Sequence, residues 1–283
     1  KGGVGKTTTA AARRASLSHR GARVLGGDLD PQGSLGFSLG LDIERCMTIY
    51  DVFRGAVEPE QAIAHTETCD LLPSNILLAG AELEFNRPGR EFLLKTALSK
   101  VEQDYDYIIV DTPPALNLLT VNAYVASDQL IIPMAPEVLS LLGVSQIKET
   151  IESVRDYYNP HLEVLGILLN RYNARFNLNR EVLELAGQIA QQLNTVVFSA
   201  KIRTSVSAAE APAHGMSVVD YAPSSNPTRD FEQLCDEVAG ARFPRVERGG
   251  RRCWREEKAA AAVRRTMCST CFRAGRGRRR PAP

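Results

Sequence analysis

The first eight residues, Lys1-Gly2-Gly3-Val4-Gly5-Lys6-Thr7-Thr8, set three glycines and two lysines ahead of Thr9-Ala10-Ala11-Ala12, which reads as the start of a helix. Glycine reaches backbone conformations closed to other residues, so this stretch can turn successive N–H groups into one concavity, and a helix N-terminus behind it adds positive potential. A polyphosphate fits such a concavity. Lys6 is placed to reach the β- and γ-phosphates of a nucleoside triphosphate and Thr7 to ligate Mg2+, with Lys1, Gly2, Gly3, Val4, Gly5 and Thr8 completing the phosphate cradle. A plain glycine-rich turn is the simpler reading of the hexapeptide alone. The helix start behind it and two acidic motifs further along argue against that reading.

The rest of the chain alternates in the way a phosphate loop of this kind requires. Ala22 to Leu25 begins a strand that ends at Asp28-Leu29-Asp30-Pro31, weakened inside by Gly26 and Gly27. Tyr107 to Asp111 and Gln129 to Met134 are short apolar runs suited to parallel strands buried on both faces. Val164 to Asn170 and Val196 to Phe198 continue the series. Helical patterning covers Ile49–Phe53, Ala79–Glu84, Glu91–Gln103, Leu141–Tyr157, Asn179–Leu193 and Thr228–Ala239. Strands and helices in this order predict an α/β fold: a doubly wound, mostly parallel sheet with helices on both faces and ligands at the carboxyl ends of the strands.

Three carboxylates stand where that fold places its site. Asp111 closes an apolar run and precedes Thr112-Pro113-Pro114, the position of an acid that holds Mg2+ directly or through its water. Asp28 and Asp30 are one residue apart, so at an extended strand end they point the same way. One is suited to the metal's water shell, here assigned to Asp28, and the other, Asp30, to orienting an attacking water. Turn chemistry accounts for part of Asp30-Pro31 as well.

Composition narrows the classes. With 283 residues, 44% of them apolar, the chain can bury a sizeable core. No run approaches the ~18–20 apolar residues that span a bilayer, and no secretory signal pattern opens the chain, which suggests the cytoplasm. Six cysteines in no compact framework agree with a reducing compartment. The net charge of +1 hides an asymmetry: residues 244–283 hold 13 Lys/Arg against 3 Asp/Glu, and the remainder 21 against 30.

Several motifs occur in an order that resembles one family. Lys1 to Thr9, Leu29-Asp30-Pro31-Gln32-Gly33, Leu72-Pro73-Ser74-Asn75 with Leu78 to Leu83, Val110 to Pro114, and Glu210-Ala211-Pro212-Ala213-His214-Gly215 are similar to ParA/Soj chromosome and plasmid partition ATPases, over residues 1 to about 242. The lysine at each end of the glycine loop resembles the deviant P-loop of the wider ParA/MinD group. The resemblance implies an ATP- and Mg2+-dependent homodimer in which Lys1 reaches the partner's phosphates, Lys6, Thr7 and Asp111 hold nucleotide and metal, and Asp30 helps place the hydrolytic water. It also implies slow ATPase turnover without a partner, nonspecific DNA binding by the ATP dimer, release by a ParB-type protein, and a nucleoid-associated location. Asn170, at a strand end, is a candidate for the nucleotide base. Arg175, Arg180, Lys201, Arg203 and Arg229 are candidates for phosphate contacts with DNA.

Two regions depart from the family pattern. Its members carry an apolar strand directly before the loop; its lack is expected to leave neighbouring strands unpaired, and on that ground the sequence reads as incomplete. Residues 243–283 form an Arg-rich tail, expected to be disordered, in which Cys253, Cys268 and Cys271 are too few for a zinc site. Arg13-Arg14 and Gly26-Gly27 are expected to weaken the core locally. A MinD-like membrane-associated ATPase is the alternative function, but the tail lacks an apolar stripe and no stable membrane association is expected. An iron–sulfur reductase of the nitrogenase type is disfavoured because no cysteine lies between Asp111 and Leu234. A nucleotide-binding scaffold without turnover is opposed only by Asp30.

Overall fold

The computed structural model describes residues 2–66, 69–136, 138–173, 178–239 and 264–267. Its strands are β1 (Val24–Asp28), β2 (Ala64–His65), β3 (Asp70–Leu72), β4 (Tyr107–Asp111), β5 (Gln129–Met134), β6 (Glu163–Tyr172), β7 (Val197–Arg203) and β8 (Arg264–Met267). They form one sheet in the order β2-β3-β1-β4-β8-β5-β6-β7. Every pairing is parallel except that of β2 with β3.

Helices fill the connections: α1 (Lys6–His19), α2 (Ser34–Ser38), α3 (Ile49–Arg54), α4 (Pro59–Ala62), α5 (Ala81–Glu84), α6 (Leu93–Val101), α7 (Leu118–Val125), α8 (Val138–Tyr157), α9 (Leu178–Gln192), α10 (Val206–Glu210), α11 (Val218–Tyr221) and α12 (Asn226–Ala239). Local chemistry sets their ends. Thr48 and Asp51 close a capping box at α3, which stops at Gly55 with φ 74°. Asn117 caps α7 by accepting from the Thr120 N–H at 3.3 Å. Past the end of α1, Gly21 turns left-handed at φ 85°.

The alternation of side chains along a strand divides the core between the two faces of the sheet. Ile108, Val110, Leu130 and Ile132 join Leu98, Leu119, Ala123 and Ile151 in one cluster. On the opposite face Ile131 and Leu168 meet Ala12, Ala15, Phe231 and Leu234, while Ile109 and Leu71 meet Ala10, Ala11 and Leu17. Burial on both faces explains why β4 and β5 are apolar at nearly every position.

Within residues 243–283, Arg264–Met267 form β8. β8 lies at an interior position, with Tyr107 opposite Arg264, Ile108 opposite Arg265 and Leu130 opposite Met267. Neighbouring parallel strands need a backbone partner between them, and an extended segment of any composition supplies the N–H and C=O groups. The other residues of 243–283, including Cys253, Cys268 and Cys271, lie outside the described residues.

From the two local departures, Arg14 and Gly26 lie near each other. Arg14 is buried with its guanidinium 3.9 Å from Asp220. A methyl group on Gly26 would lie 2.7 Å from Leu71 Cδ1 and 3.8 Å from Arg14 Cδ, so the bare backbone of β1 leaves room for both side chains.

Asp220 also accepts from His19 at 2.8 Å, tying α1 to α11. The Asp220 hydrogen bond raises the imidazole pKa against partial desolvation, and the His19 contact lowers that of Asp220. Stabilisation from His19 is therefore complete below its ordinary pKa and lost as pH rises through its raised value. That from Asp220 is lost only as pH falls below the carboxylate range. For a half-exposed pair about 0.5–1 kcal/mol is at stake. His19→Gln is thus expected to lower the melting temperature by about 2 °C at pH 6 and by nothing measurable at pH 9; an equal loss at both pH values would exclude the ion pair as its cause.

Candidate functional site

The glycine loop leaves the β-region twice, at Gly3 (φ 75°) and Gly5 (φ 83°), before α1 begins at Lys6. Left-handed steps of this kind point successive N–H groups to one side, forming an anion nest at the head of a 14-residue helix. Around the loop lies a cavity of about 640 Å³ whose lining includes Gly3, Lys6, Thr7, Asp30, Asn170 and Arg203. A second cavity of about 560 Å³, between the Thr112–Leu116 loop, β5 and α8, is lined by Lys6 and Val4 on the loop side.

The carboxylates meet at adjoining strand ends. Asp28 and Asp111 are register partners on β1 and β4, and both are buried. Thr7 Oγ1 donates to Asp111 Oδ2 at 2.5 Å, and the Thr112 N–H donates to Asp111 Oδ1 at 3.0 Å. Burial pushes the Asp111 carboxyl up to about 7, helped by the Asp30 charge and opposed by the Thr7 hydroxyl and the Lys6 ammonium. Burial likewise lowers the Lys6 pKa, with Asp111 and Asp30 pulling the other way. Such a set holds its charges poorly until a ligand completes it.

Thr7, which lines the cavity, and the buried Asp111 thus bring a hydroxyl and a carboxylate oxygen together. These are hard oxygen donors of the kind Mg2+ takes, which uses one or two protein ligands together with substrate phosphates. Among the described residues no group of three or more His, Cys, Asp or Glu could hold a metal unaided. The donor set therefore fits Mg2+ entering with a nucleotide.

Asp28, expected near the metal, accepts from backbone N–H groups of its own loop. Its Oδ1 accepts from the Asp30 N–H at 2.9 Å, and its Oδ2 from the N–H groups of Leu35 at 2.9 Å and Gly36 at 3.4 Å. Burial, followed by the Asp111 charge opposite, pushes its carboxyl well above the usual range. The side chain pins the loop that carries Asp30. Asp30 itself is partly exposed at the cavity, with Oδ1 accepting from the Gln32 N–H at 3.0 Å.

Asn170 also reaches the loop. Its Nδ2 donates to Val4 O at 2.8 Å, Gly5 O at 3.4 Å and Thr9 Oγ1 at 3.1 Å. This contact with the loop backbone was not legible in the sequence, nor was the part played by Thr9.

Three of the expected DNA contacts have local partners of their own. Arg203 is held by Asp230, its Nη2 2.6 Å from Oδ1 and its backbone N–H 3.0 Å from Oδ2, and it borders the cavity around the glycine loop. Lys201 Nζ sits 5.5 Å from the Tyr172 ring centre, and Arg229 donates to Ser224 O at 2.9 Å. Arg180 falls in α9, while Arg175 and Lys1 lie outside the described residues.

Other motifs prove to be joints of the fold. Glu82, in the Leu78 to Leu83 stretch, accepts from the Leu118 N–H at 2.9 Å and so holds α5 to the start of α7. Gly215 (φ 65°) approaches Gly40 so closely that a methyl group there would lie 2.9 Å from the Gly40 Cα.

Comparison with known proteins identifies relatives of the chain. A family model described as an AAA domain matches residues 1–164. The chain is 40% identical over 245 residues to the sporulation initiation inhibitor protein Soj of Bacillus subtilis (strain 168), covering 84% of this chain and 95% of that one. It is 36% identical over 244 residues to the chromosome partitioning protein ParA of Caulobacter vibrioides (strain NA1000 / CB15N), covering 84% and 90%. A solved structure described as cobyrinic acid a,c-diamide synthase from Mycobacterium smegmatis, with bound ATP analog and magnesium, superposes with a TM-score of 0.74 at 38% identity, covering 83% and 89%.

Proposed function

Because the chain belongs to the ParA/Soj family of partitioning ATPases, we propose that it is an ATP-switched homodimer that holds nonspecific DNA and lets go on hydrolysis stimulated by a ParB-type partner, on the nucleoid. The observation that carries the reading is the convergence of Lys6, Thr7 and Asp111 under the glycine nest, with Asp30 at the edge of the same cavity.

The nest N–H groups and Lys6 would bind the β- and γ-phosphates, and Thr7 and Asp111 would hold Mg2+. When bound, Mg2+ would supply charge neutralisation at the phosphate oxygens. The Asp30 carboxylate orients the attacking water, and Asp28 keeps its loop in place. Lys1 of each protomer reaches the other's phosphates, so dimerisation and nucleotide state are coupled. DNA phosphates are met by Lys and Arg of the body, Lys201, Arg229, Arg175 and Arg180 among them, while Arg203 serves mainly to fix the end of β7 through Asp230. This ligand set accords with the superposed synthase structure, which holds an ATP analog and magnesium.

The test is binding to nonspecific duplex DNA across a salt series, with ATP against ADP, for the full chain and for a variant with Arg276, Arg278, Arg279 and Arg280 changed to glutamine. Binding with ATP and not ADP in both proteins, falling steeply with salt, is the expected result. Binding that ignores the nucleotide and disappears in the glutamine variant would leave only an arginine-rich polycation. Retaining β8 in both proteins keeps the sheet intact during the comparison.

A further inference from the structure

We propose that Asn170 is a positioning residue that holds the phosphate loop in its anion-binding form. In a nest the N–H groups face the ligand, so the intervening carbonyls must turn away from it and find donors elsewhere. Val4 O is such a carbonyl, and the Asn170 amide donates to it at 2.8 Å; Gly5 O, which already accepts the Thr9 N–H of α1 at 2.9 Å, lies 3.4 Å from the same amide. A peptide flip at Val4 would turn its carbonyl oxygen toward the phosphates in place of an N–H. The amide also donates to Thr9 Oγ1, whose own hydroxyl donates to Gly5 O at 2.7 Å, so the loop and the first turn of α1 are tied at one point.

The backbone at the end of β6 is shaped for this contact. The register of β6 with β7 shifts between Asn170 and Tyr172, and Arg171 between them is left-handed at φ 57°. Bulges re-aim a side chain beside a site, and a non-glycine residue held at positive φ is uncommon. Gly5 completes the fit, because a methyl group there would lie 2.7 Å from Asn170 Nδ2. Its glycine identity is therefore required by the neighbouring amide as well as by its φ of 83°. The amide cannot be turned over, since that would set Oδ1 against two carbonyl oxygens.

The proposal rests on the nucleotide-binding reading of the loop and separates a backbone role from a contact with the base. The full chain and Asn170→Ala are compared for affinity to Mg-ATP and to Mg-tripolyphosphate, which has the phosphates without base or sugar, alongside their thermal melts. With the melt retained, Asn170→Ala is expected to weaken both ligands by the same factor, about ten- to hundredfold. Loss of Mg-ATP affinity with Mg-tripolyphosphate unchanged would make Asn170 a base contact only and overturn the proposal, as would no change in either. Asn170→Ser, smaller and still polar, gives the same comparison if the alanine variant does not fold. Failure of the unaltered chain to bind either ligand would sink the nucleotide reading itself, an outcome distinct from both.

Discussion

Lys6→Ala is expected to lower the affinity for Mg-ATP by about 10²–10³-fold while leaving the ligand-free protein at least as stable as the parent. The two halves of this result have one cause. Desolvation is the largest influence on the Lys6 ammonium, ahead of its attraction to Asp111 and Asp30. In the absence of ligand the fold thus carries a partly buried charge that is incompletely compensated, and removing it relieves that burden. With a triphosphate in the nest the balance reverses, because the ammonium then faces several negative oxygens in a site of low dielectric. Titration calorimetry and thermal melts with and without Mg-ATP check both halves: the ligand-induced rise in melting temperature disappears and the ligand-free melt does not fall. A variant that melts lower without ligand yet binds Mg-ATP normally would make Lys6 a structural residue.

The contrast between what was and was not legible in the sequence follows from how each feature is encoded. β4 and β5 are read to the residue, since apolar runs bounded by polar turns leave little choice of ends. The short pair β2 and β3 carries no periodic signal, and α7, apolar nearly all round, gives none of the polar spacing that marks a surface helix. At the site, the meeting of Thr7 with Asp111 was legible because a glycine turn and an acid closing an apolar strand fall at the same edge of a parallel sheet. Other partner choices among side chains were not. Nothing in Asp28-Leu29-Asp30 says that the first carboxylate will be consumed by three N–H groups. Arg203 is plain as a charge and silent about Asp230, 27 residues further on. The amide of Asn170 turns on a left-handed Arg171, a conformation sequence reasoning assigns to glycine or asparagine first.

Asp30→Ala is expected to reduce kcat for ATP hydrolysis by about 10²–10⁴-fold, the range for removing a group that orients or deprotonates an attacking water, without weakening Mg-ATP binding. The carboxylate sits at the cavity edge on a loop whose position is set by Asp28, so alanine leaves the loop anchored through the same backbone N–H. The Asp30 charge is one of the influences that raise the Asp111 pKa toward about 7. Its removal lets Asp111 ionise at lower pH, and a metal ligand must be ionised to bind. Mg2+-dependent ATP binding by the variant should accordingly extend to more acidic pH than in the parent, while single-turnover phosphate release nearly stops. The two effects have opposite signs on binding and on chemistry. If dimerisation depends on bound ATP as proposed, the variant accumulates as the ATP dimer in size-exclusion chromatography. Unchanged phosphate release would remove Asp30 from the reaction, and an acid shift of binding without a loss of turnover would leave it only an electrostatic influence on Asp111.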